Sequence, residues 1–312
     1  MTTFYHAFTK FLDDLGSVGW QNLGIAIGFN LLRLAFRCPA WRNILRAAYP
    51  KKRVPLVGVS GAYLAGVGIN SILPARAGDA LKLFLVKRQI VDSHYPTLGA
   101  TLIPETLLDS VVAAIIVGWA LAANALPGLG VLPSLDTVDW SWPYRHQTVT
   151  AIVIAVIIVG GVVTLLLTQE RIEAFWSRVR QGFAILTQPR RYFLGVATWQ
   201  LLSWACRLAA VYFFLEAFHM PANMHNAFVV LSVQSISTLL PITPGGVGTI
   251  QGLLVATFRN TIPTATVLSF SVGMHVATVV ASLVVGFTAI GLMLRTFRWK
   301  RVVQPEKPLA EH

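Results

Sequence analysis

Long apolar stretches alternate with short polar segments along most of the chain, and this pattern predicts helices that cross a membrane. A helix needs about 20 mostly apolar residues to span a bilayer. Five segments approach or exceed that length with few charges: 16–36, 97–125, 148–168, 192–218 and 263–294. Because the charges cluster between these segments rather than within them, a membrane β-barrel is not expected. The sequence predicts an all-α polytopic membrane protein with about five full spans.

Two further apolar segments, 54–90 and 222–262, contain the same interruption. Each places Leu-Pro, then three residues, then Gly, at 73–78 and at 240–245. Proline removes a helical hydrogen bond and glycine tolerates positive φ, so both segments are expected to break there. Broken backbone is tolerated at membrane depth only where protein or water satisfies it. We therefore predict two broken re-entrant hairpins, and such paired breaks indicate a transport site.

Composition and charge agree with a membrane protein. Of the 312 residues, 55% are hydrophobic and 12% are charged, and the mean hydropathy is +0.64. A soluble domain carries about 25% charged residues. The net charge of +12 comes largely from basic clusters beside the spans, which set orientation in the membrane and do not point to nucleic acid. This bias predicts residues 37–53 and 169–191 on the cytoplasmic side and residues 126–146 outside.

This orientation makes the first hairpin enter from the cytoplasm and the second from the outside, which is the arrangement of an inverted repeat. The whole chain, 1–312, is predicted to form a single transmembrane domain, with one repeat over about 16–125 and the other over about 148–294. A short interfacial helix is predicted at 3–15, and the polar tail at 302–312 is predicted to be disordered.

The break in the first hairpin carries a motif of a known family. The residues Pro74, Arg76, Gly78, Asp79 and Lys82 resemble the Pro-x-Arg-x-Gly-acidic-x-x-basic motif of the lysylphosphatidylglycerol synthase transmembrane region family, whose members are often called flippase-like. The likeness covers roughly residues 20–295. Its other motifs are an acidic pair on the next span, at Glu105 and Asp109, and Pro-Gly-Gly-apolar-Gly, at 244–248.

The resemblance implies lipid movement between leaflets, or an accessory role in envelope or glycolipid synthesis. The chain departs from the family at three points. Gln251 stands where the family often has Glu, Thr106 where it often has Arg, and His275 where the last span often has a basic residue. The resemblance does not include an aminoacyl-transferase domain, so transfer of lysine to a lipid is not expected.

The residues beside the two breaks are candidates for binding a headgroup. Arg76, Asp79 and Lys82 are three apart, so a helix after the proline would place them on one face, near a helix start that favours anions. Backbone N–H groups at the second break could also bind an anion. The candidates there are Thr243, Gly245, Gly246 and Gln251. The structural alternatives are an ordinary cytoplasmic turn and close helix packing at glycine.

Charged residues within the spans form a second set of candidates. Glu105 and Asp109 are four apart on a helix and point the same way. An ionised acid at the bilayer centre costs about 2.5–3.5 kcal/mol on insertion scales, so a partner is needed, and Arg207 or Arg76 is the expected one. The acids either fix the helix order as a salt bridge or balance charge and relay protons. His275 either packs in the bundle or titrates near neutral pH.

The sequence predicts a transporter that moves an anionic amphipathic lipid, a phospholipid or a polyprenyl phosphate, between the leaflets of a bacterial-type inner membrane. Arg207 and the residues beside the breaks would bind its headgroup. An integral-membrane enzyme on a lipid-linked substrate and a non-transporting accessory protein are the alternatives. No cofactor, metal or nucleotide is expected, because a phosphate-loop motif and metal-ligand spacing are missing. The expected partners are membrane lipids, nucleic acid is not expected, and a homo-oligomer is left open.

Overall fold

The structure is a computed structural model, and it describes residues 18–73, 77–123, 125, 169–239 and 248–296. These residues are largely helical and include no strand, which confirms the predicted all-α class. Several predicted elements lie outside the described residues. They are the interfacial helix at 3–15, the external loop at 126–146, the span at 148–168 and the tail at 302–312.

The structure describes eleven α-helices in this order along the chain. They are α1 (Trp20–Ala48), α2 (Leu56–Asn70), α3 (Ala77–Lys87), α4 (Tyr95–Ala100), α5 (Leu102–Ala122), α6 (Gln169–Gly182), α7 (Pro189–Tyr192), α8 (Thr198–Ala217), α9 (Met224–Leu239), α10 (Thr249–Phe258) and α11 (Thr264–Thr296). A π-helical turn, Phe193–Ala197, joins α7 to α8.

Among the residues that the structure describes, four helical segments are long and apolar enough to cross a membrane. They are Trp20–Ala48, Tyr95–Ala122, Pro189–Ala217 and Thr264–Met293. Each coincides with one of the five spans predicted from hydropathy, and the fifth predicted span lies outside the described residues. The protein is therefore a multi-pass membrane protein.

The first span is longer than the sequence indicated. It was predicted to end at Phe36 with a cytoplasmic segment from residue 37, but α1 continues to Ala48. The added turns bury apolar side chains against neighbouring helices, namely those of Cys38, Trp41, Ile44 and Leu45. Pro39 removes one helical hydrogen bond inside this stretch. The burial of apolar side chains before and after Pro39 stabilises the helix despite this loss. The helix therefore extends beyond the predicted end of the span, and the cytoplasmic placement of residues 37–53 stays a prediction.

Helices α2 and α3 form the first hairpin, and they pack antiparallel. Gln89 Nε2 donates a hydrogen bond to the carbonyl oxygen of Gly58 at 3.0 Å. At the other end, the backbone N–H of Gly78 donates to Asn70 Oδ1 at 2.7 Å. Contacts at both ends fix the register of the two helices. Residues 74–76, where the sequence predicts the break, lie outside the described residues.

Helices α9 and α10 occupy the positions of the second hairpin, and its turn at 240–247 lies outside the described residues. Helix α10 is preceded by Gly248, whose φ of 86° favours glycine. The Gly248 N–H donates to Gln251 Oε1 at 2.6 Å, which caps the first turn. The inverted relation between the two hairpins stays a prediction.

Two closely packed helix pairs enclose the centre of the bundle. Helices α1 and α8 run antiparallel, with the Gly19 N–H bonded to the Ala217 carbonyl oxygen at 2.9 Å and Asn43 Nδ2 bonded to the Gly195 carbonyl oxygen at 2.7 Å. Helices α2 and α11 cross at Gly68 and Gly286, where a Cβ on Gly68 would lie 2.7 Å from the Gly286 Cα. The polar residues described below lie between these pairs and α5.

Candidate functional site

Asp109 on α5 is held by side chains from two other helices. Arg37 on α1 donates from Nη1 to Oδ2 at 2.7 Å and from Nη2 to Oδ1 at 2.6 Å. Trp204 on α8 adds a hydrogen bond from Nε1 to Oδ1 at 2.8 Å. Arg37 Nε is also 3.3 Å from Ser203 Oγ. A planar, bidentate pair of this kind is among the strongest ionic contacts in proteins, so it fixes α5 against α1 and α8.

Lys82 on α3 is enclosed by one carboxylate and two aromatic rings. Its Nζ lies 2.8 Å from Glu105 Oε2, 4.1 Å from the ring centre of Trp41 and 4.2 Å from the ring centre of Tyr63. The residue is 4% exposed. Gln200 Nε2 donates to the backbone carbonyl oxygen of Glu105 at 2.7 Å. Lys82 is therefore neutralised inside the protein by Glu105.

The predicted pairing of Arg207 with an acid was wrong. Arg207 Nη2 donates to the neutral Gln234 side chain at 2.9 Å, and its guanidinium lies 4.8 Å above the ring centre of Trp204. The two carboxylates of α5 are instead paired with Arg37 and Lys82, as described above. The packing of α1 against α5 determines the partner of Asp109. It places Arg37, which the sequence analysis assigned to the cytoplasm, next to this carboxylate.

A polar cavity of about 420 Å³ lies between the two helix pairs. Its walls come from α1, α2, the residue after α2, α5, α8 and α11, and its charged residues are Arg33, Arg37, Asp109 and Arg207. Arg33 Nε is buried and has no hydrogen-bond partner among the described residues. We call this space the central cavity. It contains more positive than negative charge, which an anion would balance.

A second cavity of about 210 Å³ adjoins the first. Both cavities are lined by Arg33, Arg207 and Thr278, so they meet at these three residues. The central cavity reaches Asn70 and Ser71, just before the break of the first hairpin. The second cavity reaches residues of the second hairpin, namely Gln234 on α9 and Ile250 on α10. The two cavities together thus reach from the first hairpin to the second past Arg33 and Arg207, and the lining of the second cavity is mostly apolar.

The remaining predicted site residues have different positions. Asp79 accepts a 3.3 Å hydrogen bond from Asn70 Nδ2, and Asn70 lines the central cavity. His275 lines the second cavity. The side-chain oxygen of Gln251 is used by the helix cap at Gly248. Four predicted residues lie outside the described residues: Arg76, Thr243, Gly245 and Gly246.

Sequence reasoning missed Arg33 and Arg37 as residues of the site. They are four apart on α1 and face the same way. The signal that could have found them is their position within the 29-residue apolar helix Trp20–Ala48, because arginines inside a span usually face the protein interior. Their nearness to a basic segment at 42–53 made them resemble an ordinary cytoplasmic flank instead.

An all-α bundle with several membrane-length helices and an open, charged cavity between them defines a multi-pass membrane protein with a polar site among its helices. The family model for the lysylphosphatidylglycerol synthase TM region matches residues 3–286, and the chain belongs to this family. A comparison with curated proteins finds no match. Membership of this family makes the protein a membrane protein with a lipid-related function in the cell envelope.

Proposed function

We propose that the protein moves a lipid with an anionic headgroup between the two leaflets of a bacterial-type inner membrane. The observation that supports this most directly is that a polar cavity and an adjoining, more apolar one share Arg33 and Arg207 as lining residues. The headgroup would pass through the polar space while the acyl chains stay in the surrounding lipid. A volume of about 420 Å³ is within the usual range of about 300–1,000 Å³ for ligand pockets.

Charge supports an anion as the ligand. Asp109 is neutralised by Arg37, and Glu105 is neutralised by Lys82. The described residues place no carboxylate within ion-pair distance of Arg33 or Arg207. Unpaired charges inside a membrane protein are costly and usually mark substrate or ion pathways. A phosphate between these two arginines would offset that cost.

The two hairpins would give the cavity its access from both sides. In the proposed inverted arrangement, the first hairpin enters from the cytoplasm and the second from the outside. Asn70 at the first and Gln234 at the second each line one of the joined cavities. A headgroup held at Arg33 and Arg207 would therefore lie on the way between the two sides. In this proposal, Glu105 and Asp109 hold the cations in place.

The test is lipid movement in liposomes that contain the purified protein. Phosphatidylglycerol and phosphatidylcholine, each with the same fluorescent acyl chain, are supplied, and a membrane-impermeant quencher reports the fraction that changes leaflet. The matched variants are Arg33→Gln, Arg207→Gln and, as a control, Arg88→Gln, since Arg88 is an exposed residue that contacts Phe84.

The wild-type protein and the control should move phosphatidylglycerol faster than phosphatidylcholine. Each cavity variant should slow phosphatidylglycerol about tenfold or more, because hydrogen bonds to charged groups contribute about 1.5–3 kcal/mol. Wild-type protein that is folded but moves neither lipid would contradict the proposal. That result would favour the membrane enzyme or the accessory protein.

A further inference from the structure

The charges of the central cavity suggest which kind of headgroup it accepts. The cavity is lined by three guanidinium groups, Arg33, Arg37 and Arg207, and by one carboxylate, Asp109. Its formal charge is therefore two positive units in excess. From this charge balance we infer that the cavity binds a phosphate group with two negative charges, a phosphomonoester or a terminal diphosphate on a lipid. The inference rests on the proposed function, because it concerns the same cavity.

The excess charge belongs to two particular residues. The bidentate contact with Arg37 uses both oxygens of Asp109, so this pair is close to neutral. Arg207 contacts only neutral partners, Gln234 and Trp204, among the described residues. Arg33 has a buried Nε without a hydrogen-bond partner in the described part of the chain. Both side chains line the same two cavities, so one ligand can contact both.

A singly charged phosphodiester would leave one of these cations uncompensated in a region of low dielectric. It also offers only two non-bridging oxygens. A phosphomonoester has three terminal oxygens and carries close to two negative charges above its second pKa, near 6. Guanidinium groups bind phosphate oxygens two at a time. A monoester can therefore satisfy Arg33 and Arg207 together, and a diester satisfies them less well.

The pH dependence of binding shows whether the ligand or a side chain of the protein changes its charge. The titratable and charged side chains that line the two cavities among the described residues come from five helices. They are Arg33 and Arg37 on α1, Tyr63 on α2, Asp109 on α5, Arg207 on α8 and His275 on α11. Lowering the pH to 5 removes one negative charge from a phosphomonoester, which weakens binding. Protonation of His275 would act in the opposite direction, because it adds positive charge.

The experiment compares phosphatidic acid, a monoester, with phosphatidylglycerol, a diester, with identical acyl chains. Binding to the detergent-purified full chain is measured by native mass spectrometry at pH 8 and pH 5. At pH 8 the wild-type protein should bind phosphatidic acid about tenfold or more tightly than phosphatidylglycerol. The difference should shrink at pH 5, in the wild type and in His275→Gln alike.

The variants connect this preference to the two arginines. Arg33→Gln and Arg207→Gln should lose the preference for phosphatidic acid, and Arg207→Lys, which keeps the charge, should retain most of it. Arg88→Gln is the control and should behave as the wild type. Size-exclusion chromatography selects folded protein, and Arg207→Lys keeps the test usable if a glutamine variant does not fold.

The outcomes separate this inference from the proposed function. If the wild-type protein binds both lipids equally at pH 8 and Arg207→Gln weakens the binding of both, the inference of a doubly charged phosphate is wrong. The proposed transport of an anionic lipid would not be contradicted by that result. Binding of both lipids that does not depend on Arg33 or Arg207 would overturn both. Inorganic phosphate tests the source of the ligand. If inorganic phosphate binds as tightly as phosphatidic acid, the site prefers a doubly charged phosphate, but the ligand need not be a lipid. That result would contradict the proposed function.

Discussion

Arg37 and Asp109 form a bidentate ion pair inside the helix bundle, with N–O distances of 2.7 and 2.6 Å. The pair joins α1 to α5, and the indole of Trp204 extends the contact to α8. Both charges are largely shielded, with the Arg37 side chain 15% exposed and that of Asp109 25% exposed. Since the pair satisfies itself, it leaves the charges of Arg33 and Arg207 for a ligand.

Breaking this pair from one side should cost more than removing both partners. Asp109→Ala removes the bidentate partner of Arg37 and leaves it only the Glu105 carboxylate, 4.0 Å away and already paired with Lys82. Breaking a buried ion pair from one side costs about 3–5 kcal/mol of unfolding free energy. The double variant Arg37→Met with Asp109→Leu should be milder, because no charge is left alone. Unfolding in detergent measures the single and double variants as a cycle. If the effects simply add, with no coupling energy, the pair does not contribute as described.

Lys82 should act on stability and not on headgroup choice. Lys82→Met removes the 2.8 Å partner of Glu105 and leaves that carboxylate only the 4.0 Å contact with Arg37. It also removes cation–π contacts that are each worth about 0.5–2 kcal/mol. The variant should unfold at a lower temperature, and adding Glu105→Gln should recover part of the loss. The protein that remains folded should keep its preference for anionic lipids in the liposome assay.

The opposite pattern would support the headgroup role that the sequence assigned to Lys82. In that case Lys82→Met would keep wild-type stability and lose the preference for anionic lipids.

The crossing of α2 and α11 should tolerate no larger residue at its centre. A Cβ on Gly286 would lie 2.6 Å from the Cα of Gly68, which is too close for real atoms. Gly286→Ala should therefore push the helices apart and cost about 1–3 kcal/mol, the usual range for overpacking. Gly291→Ala on the same helix is the control, since a Cβ there meets no atom within 4 Å. Thermal unfolding that fails to separate the two variants would contradict this crossing.

Gln251 should matter as a helix cap. Gln251→Ala removes the acceptor for the Gly248 N–H, and a hydrogen bond of this kind contributes about 0.5–1.5 kcal/mol. Gln251→Glu keeps an acceptor at the same place and should be close to the wild type in stability. Neither change should alter the preference between anionic and zwitterionic lipids. A changed preference in Gln251→Ala at normal stability would restore the predicted ligand role.

Segment length and apolar content were enough to predict most of the fold. Four of the five predicted spans and the helices of both hairpins coincide with described helices, because a bilayer sets a minimum length for an apolar helix. Proline and glycine chemistry predicted the two breaks, and α2 ends at Asn70, shortly before the first of them. The residues 74–76 and 240–247 lie outside the described part of the chain. The length of an apolar segment and the positions of proline and glycine are local properties of the chain, so they can be read directly from the sequence.

The site was harder to predict, because its contacts join residues far apart in sequence. Arg37 and Asp109 are 72 positions apart, and their pairing depends on how α1 packs against α5. The enclosure of Lys82 needs Trp41 from α1, Tyr63 from α2 and Glu105 from α5 at once. The charge pattern of the sequence predicted which residues need partners, but the packing of the helices determines which partners they have. For this reason Arg207 was paired with an acid in the sequence analysis and with Gln234 in the structure.

Thr278 offers the most direct test, because it lines both cavities where they meet at Arg33 and Arg207. In a chain with Cys38→Ala and Cys206→Ala, the single thiol of Thr278→Cys can be modified by a bulky reagent that forms a reducible disulfide. If the headgroup passes this point, modification stops phosphatidylglycerol movement, reduction restores it, and excess anionic lipid slows the modification. Complete modification with unchanged lipid movement would show that the headgroup does not pass between Arg33 and Arg207.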